Sequence, residues 1–145
     1  MKTLGLIGGM SWFSTSTYCK TINQLINGRL GGVHSAKLIL YSIDFNVYKE
    51  LQDKDNWKQI EKMFSVITKQ LKNAGADFMV MCTNTIHLVA DKIRQKIKIP
   101  LIHIAEKTAN EIVRQKITNV VLLGTKITME NSFFKKNFRI WALIQ

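Results

Sequence analysis

The residues best suited to chemistry are a cysteine and the three short polar residues after it, Cys82-Thr83-Asn84-Thr85. The apolar run 78–81 precedes the cysteine, and residues 86–96 have the pattern of a helix. We therefore expect the thiol at the carboxyl end of a parallel strand, the edge at which open α/β sheets bind ligands. The amino end of the following helix would favour a thiolate and attract a carboxylate or phosphate. An inert buried cysteine followed by a simple helix cap is the alternative.

Other candidate groups give weaker signals. Gly5-x-x-Gly8-Gly9 lacks the spacing of a dinucleotide fingerprint, so it indicates either a tight turn or a close approach of the backbone to a small anion. His87 is a packing or hydrogen-bonding group, or a proton relay, and His103 falls within a predicted strand, in the core or at an interface. Cys19, in the middle of a predicted helix, is interpreted as a packing residue. No spacing of cysteine and histidine indicates a metal site.

The positions of these candidate groups depend on an alternation of strands and helices along the chain. Strands are predicted at residues 2–7, 37–43, 77–81, 101–105 and 120–124. Helices are predicted from residue 14 or 15 to about 27 and over 57–73, 86–96, 106–115 and 128–138, with connections at 28–32 and 44–55. This order predicts an α/β fold with a parallel sheet and helices on both of its faces.

The only plausible domain boundary is near Pro100. We predict a first α/β domain over residues 1–99 that carries Cys82, and the start of a second, incomplete α/β domain over 100–145. About 45 residues are too few for a complete α/β domain. The apolar end of the chain, residues 137–145, leads us to expect that the chain stops inside that second domain.

Composition narrows the classes of function. The chain has 145 residues, 46 % of them hydrophobic, which suffices for one core of ordinary size. It has no apolar run of roughly 18 residues and no signal-peptide layout, and its two cysteines are expected to point in different directions, so we predict a cytoplasmic protein without a disulfide. The net charge is +11, but the lysines are scattered, so nucleic acid is not an expected partner. Lysines at helical spacing indicate a solvated helix face: Lys58, Lys62, Lys69 and Lys72.

Taken together, several motifs resemble those of the cofactor-independent aspartate/glutamate racemase family. They occur in the family's order and extend to about residue 138. The matching segments are Gly5-Leu6-Ile7-Gly8-Gly9-Met10-Ser11-Trp12, His34-Ser35-Ala36-Lys37, Ala74-Gly75-Ala76-Asp77, Cys82-Thr83-Asn84-Thr85, His87, Val89-Ala90-Asp91, Leu101-Ile102-His103-Ile104-Ala105, Leu122-Leu123-Gly124-Thr125 and Thr128-Met129-Glu130.

The resemblance implies two similar α/β domains with the active site between them. Two residues, typically both cysteines, face opposite sides of the substrate Cα, and neither pyridoxal phosphate nor a metal is needed. Cys82 matches the first catalytic cysteine. The segment that binds the substrate carboxylate corresponds to Thr83, Asn84 and Thr85. Met10 lies in the glycine turn that lines the pocket, and Gln52 falls where a substrate contact is expected.

The chain also departs from the family pattern. The second catalytic cysteine belongs to a later segment that this chain does not contain, and Cys19, which stands where the family has an aromatic residue, does not replace it. Phe13 takes the place of a glutamate. We therefore expect a truncated racemase homologue for an acidic amino acid, with impaired racemisation and a homodimer as the possible assembly. The alternatives are a carboxylate-binding remnant without catalysis, and a single-cysteine decarboxylase or isomerase acting on a small diacid.

Overall fold

The computed structural model describes residues 1–131, which contain a four-stranded parallel sheet flanked by helices. The strands lie side by side in the order β2-β1-β3-β4, and every pair is parallel. Their bounds are β1 Leu4–Gly8, β2 Leu38–Ser42, β3 Phe78–Met81 and β4 Leu101–Ile102. The helices are α1 Trp12–Leu30, α2 Phe45–Asp53, α3 Trp57–Asn73, a 3₁₀ helix Thr85–Val89, α4 Ala90–Lys96, α5 Ile104–Arg114 and α6 Lys126–Glu130. The predicted α/β class is confirmed.

The central strand β1 separates two apolar clusters. Because side chains alternate along a strand, Leu6 and Ile7 point to opposite faces of the sheet. Ile7 belongs to the larger cluster, which is built on α2 and α3, whereas Leu6 lies beneath α1. Cys82 belongs to the same cluster as Leu6, so its side chain faces α1.

Helix α2 was not expected, because residues 44–55 read as a connection. The Asp44 carboxylate accepts a hydrogen bond from the Asn46 N–H at 2.9 Å, which caps the helix. Tyr48 is buried and packs edge-to-face against Phe64 of α3, with ring centroids 6.2 Å apart. Burial of Tyr48 against α3 therefore stabilises a helix that the local sequence pattern does not predict.

The strand predicted at 120–124 is wrong, since none of those residues is in a strand. The alternation itself is present: Val120 and Leu122 pack against α5, while Val121 and Leu123 are exposed. Among residues 1–131, however, no strand pairs with this segment. Alternation predicts which side chains are buried, but a strand also needs a neighbour to bond to.

Two further predictions concern the end of the chain. Leu101 and Ile102 pair with β3, so the sheet continues just past the domain boundary predicted at Pro100, and that boundary stays a prediction. Most of the helix predicted at 128–138, and the whole apolar segment 137–145, lie outside the described residues. Within residues 1–131, none of the helices has the length and apolar character needed to cross a bilayer.

Candidate active site

Cys82 directly follows β3 and is held on two sides through its main chain. Its N–H donates to the Ile7 carbonyl of β1 at 2.9 Å, and its own carbonyl accepts a hydrogen bond from Ser14 Oγ at 2.7 Å. Ser14 lies in the first turn of α1. Cys82 therefore occupies the predicted place, at the carboxyl end of a central parallel strand, and it is 1 % exposed.

The ionisation of this thiol differs from our expectation. Burial, and to a smaller extent the neighbouring Cys19, raises the pKa of Cys82 to about 12. We had expected the amino end of a helix to lower that pKa. The turn after Cys82 opens as a 3₁₀ helix, α4 begins only at Ala90, and the thiol faces the apolar cluster under α1. Desolvation of the thiolate therefore outweighs the helix end.

The expectation that the two cysteines point in different directions is wrong. Cys19 packs against the cluster that contains Cys82, and both thiols are free. Tyr18 packs there too, and its pKa is raised by burial and then by Cys82. The packing role predicted for Cys19 fits this position.

The turn after Cys82 keeps polar groups available to a ligand. Asn84 is exposed and stands at the amino end of the 3₁₀ helix, but its side chain makes no capping hydrogen bond. Within residues 1–131, no acceptor receives its main-chain N–H. Thr83 and Thr85 are half-buried on either side. Of the two readings of this motif, a cap is excluded for the Asn84 side chain, and a carboxylate contact stays a prediction.

The glycine turn after β1 is dictated by close contacts. Gly9 has φ +91°, and a Cβ added to it would lie 2.1 Å from the Ile43 carbonyl oxygen. The Gly9 N–H donates to Thr15 Oγ1 at 2.9 Å, and that hydroxyl donates to the Ser11 carbonyl at 3.1 Å. Of the two readings of this motif, the tight turn is confirmed, and a contact with an anion stays a prediction.

Met10 follows the carboxyl end of β1, and Gln52 lies in α2. Met10 is 5 % exposed and packs in the α2–α3 cluster, which also contains Ile86, the residue directly after Thr85. Gln52 lies half-buried in α2, and within the described chain no hydrogen bond joins its side chain to residues 82–85. Substrate contacts of Met10 and Gln52 therefore remain predictions that depend on more than this geometry.

Two buried histidines that contact each other, His87 and His103, lie next to the Cys82–Thr85 turn. His87 Nδ1 lies 2.9 Å from the Thr83 carbonyl oxygen, and the Ile104 N–H donates to His87 Nε2 at 3.3 Å. Burial, and to a smaller extent the nearby His103, lowers the pKa of His87 to about 4. The two rings meet edge-to-face with centroids 4.6 Å apart. Sequence reasoning allowed a hydrogen-bonding role for His87, but nothing in the spacing pointed to Ile104.

His103 was expected inside a strand, and this is wrong. The residue precedes α5, and its Nδ1 accepts a hydrogen bond from the Ala105 N–H at 3.2 Å, which caps the helix. Burial lowers its pKa, and the nearby Arg94 guanidinium adds to the lowering. Within residues 1–131, no group of three or more histidine, cysteine or acidic side chains is placed to hold a metal ion.

A cavity of about 620 Å³ lies elsewhere, between the end of β2 and helices α2 and α3. Neither Cys82 nor any residue of the 83–85 turn lines it. The cavity is therefore separate from the Cys82–Thr85 turn.

The sequence model of the Asp/Glu/hydantoin racemase family matches residues 7–140 of this chain. The chain belongs to this racemase family. It is 28 % identical over 137 residues to the broad specificity amino-acid racemase RacX of Bacillus subtilis (strain 168), an alignment that spans 92 % of this chain and 59 % of RacX.

Solved structures of racemase relatives have the same fold. A protein from Yersinia pestis, named as a candidate Asp/Glu racemase, superposes with a TM-score of 0.90 at 50 % identity, over 94 % of this chain and 59 % of its own. PH1733, an aspartate racemase homologue from Pyrococcus horikoshii OT3, superposes with a TM-score of 0.88 at 32 % identity, over 99 % of this chain and 62 % of its own. This racemase homologue therefore spans about 60 % of the length of these relatives.

Proposed function

We propose that this chain binds an acidic amino acid, aspartate or glutamate, at the Cys82–Thr85 turn, and that the Cys82 thiolate removes the substrate α-proton. The observation that carries the proposal is the position of Cys82 at the carboxyl end of β3, directly before a turn whose Asn84 amide groups have no partner among residues 1–131. Family membership supports the same chemistry. Neither a cofactor nor a metal enters this reaction.

The roles of the turn follow from the charge that develops during proton removal. Loss of the α-proton places enolate-like charge on the substrate carboxylate, which positioned N–H and O–H donors stabilise. The Asn84 N–H, the Asn84 side-chain amide and the Thr83 and Thr85 hydroxyls are donors of this kind. A thiol with a raised pKa gives a strong base once it is ionised, but only a small fraction of it is ionised near neutral pH.

Complete racemisation needs a second acid on the opposite face of the substrate Cα. Cys19 does not fit that role, because it packs against the same apolar cluster as Cys82, on the same face of the sheet. We therefore propose that this chain exchanges the α-proton on one face and racemises poorly. A homodimer and a cytoplasmic location remain part of this proposal.

Proton exchange followed by NMR tests the proposal. The protein is incubated in D₂O with L- and D-aspartate and then with L- and D-glutamate, and loss of the α-proton signal is recorded for each. We expect exchange of one enantiomer, and we expect Cys82→Ala to reduce its rate by about 10²- to 10⁴-fold, the usual contribution of a positioned base. Cys19→Ala is the matched control and should keep the exchange, because it removes a neighbouring thiol and leaves the Cys82 thiol in place.

The near-complete burial of Cys82 favours one second candidate, a protein that binds an acidic amino acid without chemistry. Binding of aspartate that is equally tight in the wild type and in Cys82→Ala, with no exchange in either, would replace our first proposal by this one. Rapid racemisation by the wild type would instead contradict the expected single-face exchange.

A further inference from the structure

His87 joins the Cys82 turn to the start of α5. The residue is 2 % exposed and lies in the 3₁₀ helix that follows the turn. One ring nitrogen, Nδ1, faces the Thr83 carbonyl oxygen at 2.9 Å, and the other, Nε2, receives the Ile104 N–H at 3.3 Å. A single side chain therefore contacts both the polar turn and the first residue of α5.

These two contacts fix the tautomer of His87. Because the Ile104 N–H is a donor, Nε2 must offer a lone pair, and a neutral imidazole then carries its proton on Nδ1. That Nδ1–H donates to the Thr83 carbonyl. The lowered pKa of His87, which follows from its burial, is consistent with a ring that stays neutral near pH 7.

The bond to Thr83 determines the direction of the next N–H group. In a planar trans peptide, the carbonyl of one residue and the N–H of the following residue point in opposite directions. The Thr83 carbonyl points toward the buried His87 ring, so the N–H of Asn84, an exposed residue, points away from that ring.

From this geometry we propose that His87 is a positioning residue, which holds the Thr83–Asn84 peptide so that the Asn84 N–H meets the substrate carboxylate. The inference rests on the proposed function, since it assumes that the turn binds an acidic amino acid. His87 touches neither the substrate nor the reacting atoms and acts through the peptide that it orients.

The start of α5, which His87 contacts through the Ile104 N–H, is also held in place. Arg94 of α4 donates to the Leu101 carbonyl from Nε at 3.1 Å and from Nη2 at 2.8 Å, and it also donates through two nitrogens to the Glu106 carboxylate. These bonds fix β4 and the first turn of α5 against α4. The Ile104 N–H is therefore kept where His87 needs it.

Two substitutions separate the two contacts of the ring. In His87→Asn, the amide nitrogen lies close to the position of Nδ1 and can still donate to Thr83, while the contact with Ile104 is lost. In His87→Gln, the amide oxygen reaches toward the Ile104 N–H, while the contact with Thr83 is lost. Each variant lacks one hydrogen bond, so their urea midpoints should be similar.

Binding should distinguish them. Titration with L-aspartate, or with L-glutamate, is followed through the ¹⁵N-labelled Asn84 amide signal of the 145-residue chain. We expect His87→Asn to bind within about threefold of the wild type and His87→Gln to bind about 10- to 100-fold more weakly, the usual effect of losing a hydrogen bond to a charged group. The Asn84 signal should shift on binding in His87→Asn and shift much less in His87→Gln.

Equal binding by His87→Gln and the wild type would overturn the inference, and so would equal weakening of both variants, because a merely structural histidine treats them alike. The readout does not depend on Cys82. A wild-type protein that binds aspartate without exchanging its α-proton would contradict the proposed proton transfer and leave the role of His87 to be decided by the two variants.

Discussion

Gly9→Ala is expected to lower the free energy of unfolding by about 2–5 kcal/mol. The new Cβ would lie 2.1 Å from the Ile43 carbonyl oxygen and 2.5 Å from the Ile43 nitrogen, both of them main-chain atoms that cannot rotate away. The positive φ of +91° adds strain of about 1–2 kcal/mol for a residue with a Cβ, and overpacking a tight site typically costs about 1–3 kcal/mol more. Urea denaturation followed by circular dichroism measures the loss.

Two other glycines supply matched controls. Gly31 also has a positive φ, +74°, with ψ −171°, but an added Cβ there meets nothing within 4 Å, so Gly31→Ala should cost only the strain, about 1–3 kcal/mol. Gly28 lies inside α1 with open space around it, so Gly28→Ala should stabilise the protein by about 0.5–1 kcal/mol. Equal losses for Gly9→Ala and Gly31→Ala would show that the contact with Ile43 is unimportant.

The sequence predicts most of the sheet because its signals are local. Apolar runs give β1 and β3, and the amphipathic spacing from Trp57 to Asn73 gives α3 with the predicted bounds. Local signals also explain the two errors: helix α2 was not predicted, and a strand was predicted at 120–124 where none forms. Their states depend on which other element packs or pairs with them, and no window along the chain contains that information.

In the candidate site, the sequence predicts the position of Cys82 but not its ionisation. The place of Cys82 at a strand end follows from an apolar run that stops at a polar cluster. The direction of its pKa shift cannot be predicted in this way, because it depends on what packs around the thiol, and here Cys19 and Tyr18 lie in the surrounding cluster. The contact between His87 and Ile104 joins residues 17 positions apart and exists only because α5 starts where β4 ends.

Alkylation of Cys82 by iodoacetamide is expected to accelerate about tenfold for each pH unit from pH 7 to pH 10 without a plateau. Only the thiolate reacts, and with a pKa near 12 its fraction at pH 7 is about one in 10⁵ and still rising in proportion to hydroxide at pH 10. Mass spectrometry of the peptide that contains Cys82 gives the rate at this residue separately from the rate at Cys19. If Cys82 is the base in proton exchange, that exchange should follow the same pH profile.

The same thiol in concentrated urea is the control, because unfolding removes the burial and returns the pKa toward its ordinary value of 9.0. Its alkylation should level off near that pH, while the folded protein continues to accelerate. A plateau below pH 9 in the folded protein would contradict the raised pKa and would favour the helix-end stabilisation first expected from the sequence.

Cys19→Ala removes the second cause of the raised pKa, so it should move the alkylation profile of Cys82 to lower pH. Desolvation, the larger cause, should still keep the pKa of Cys82 above 9.0.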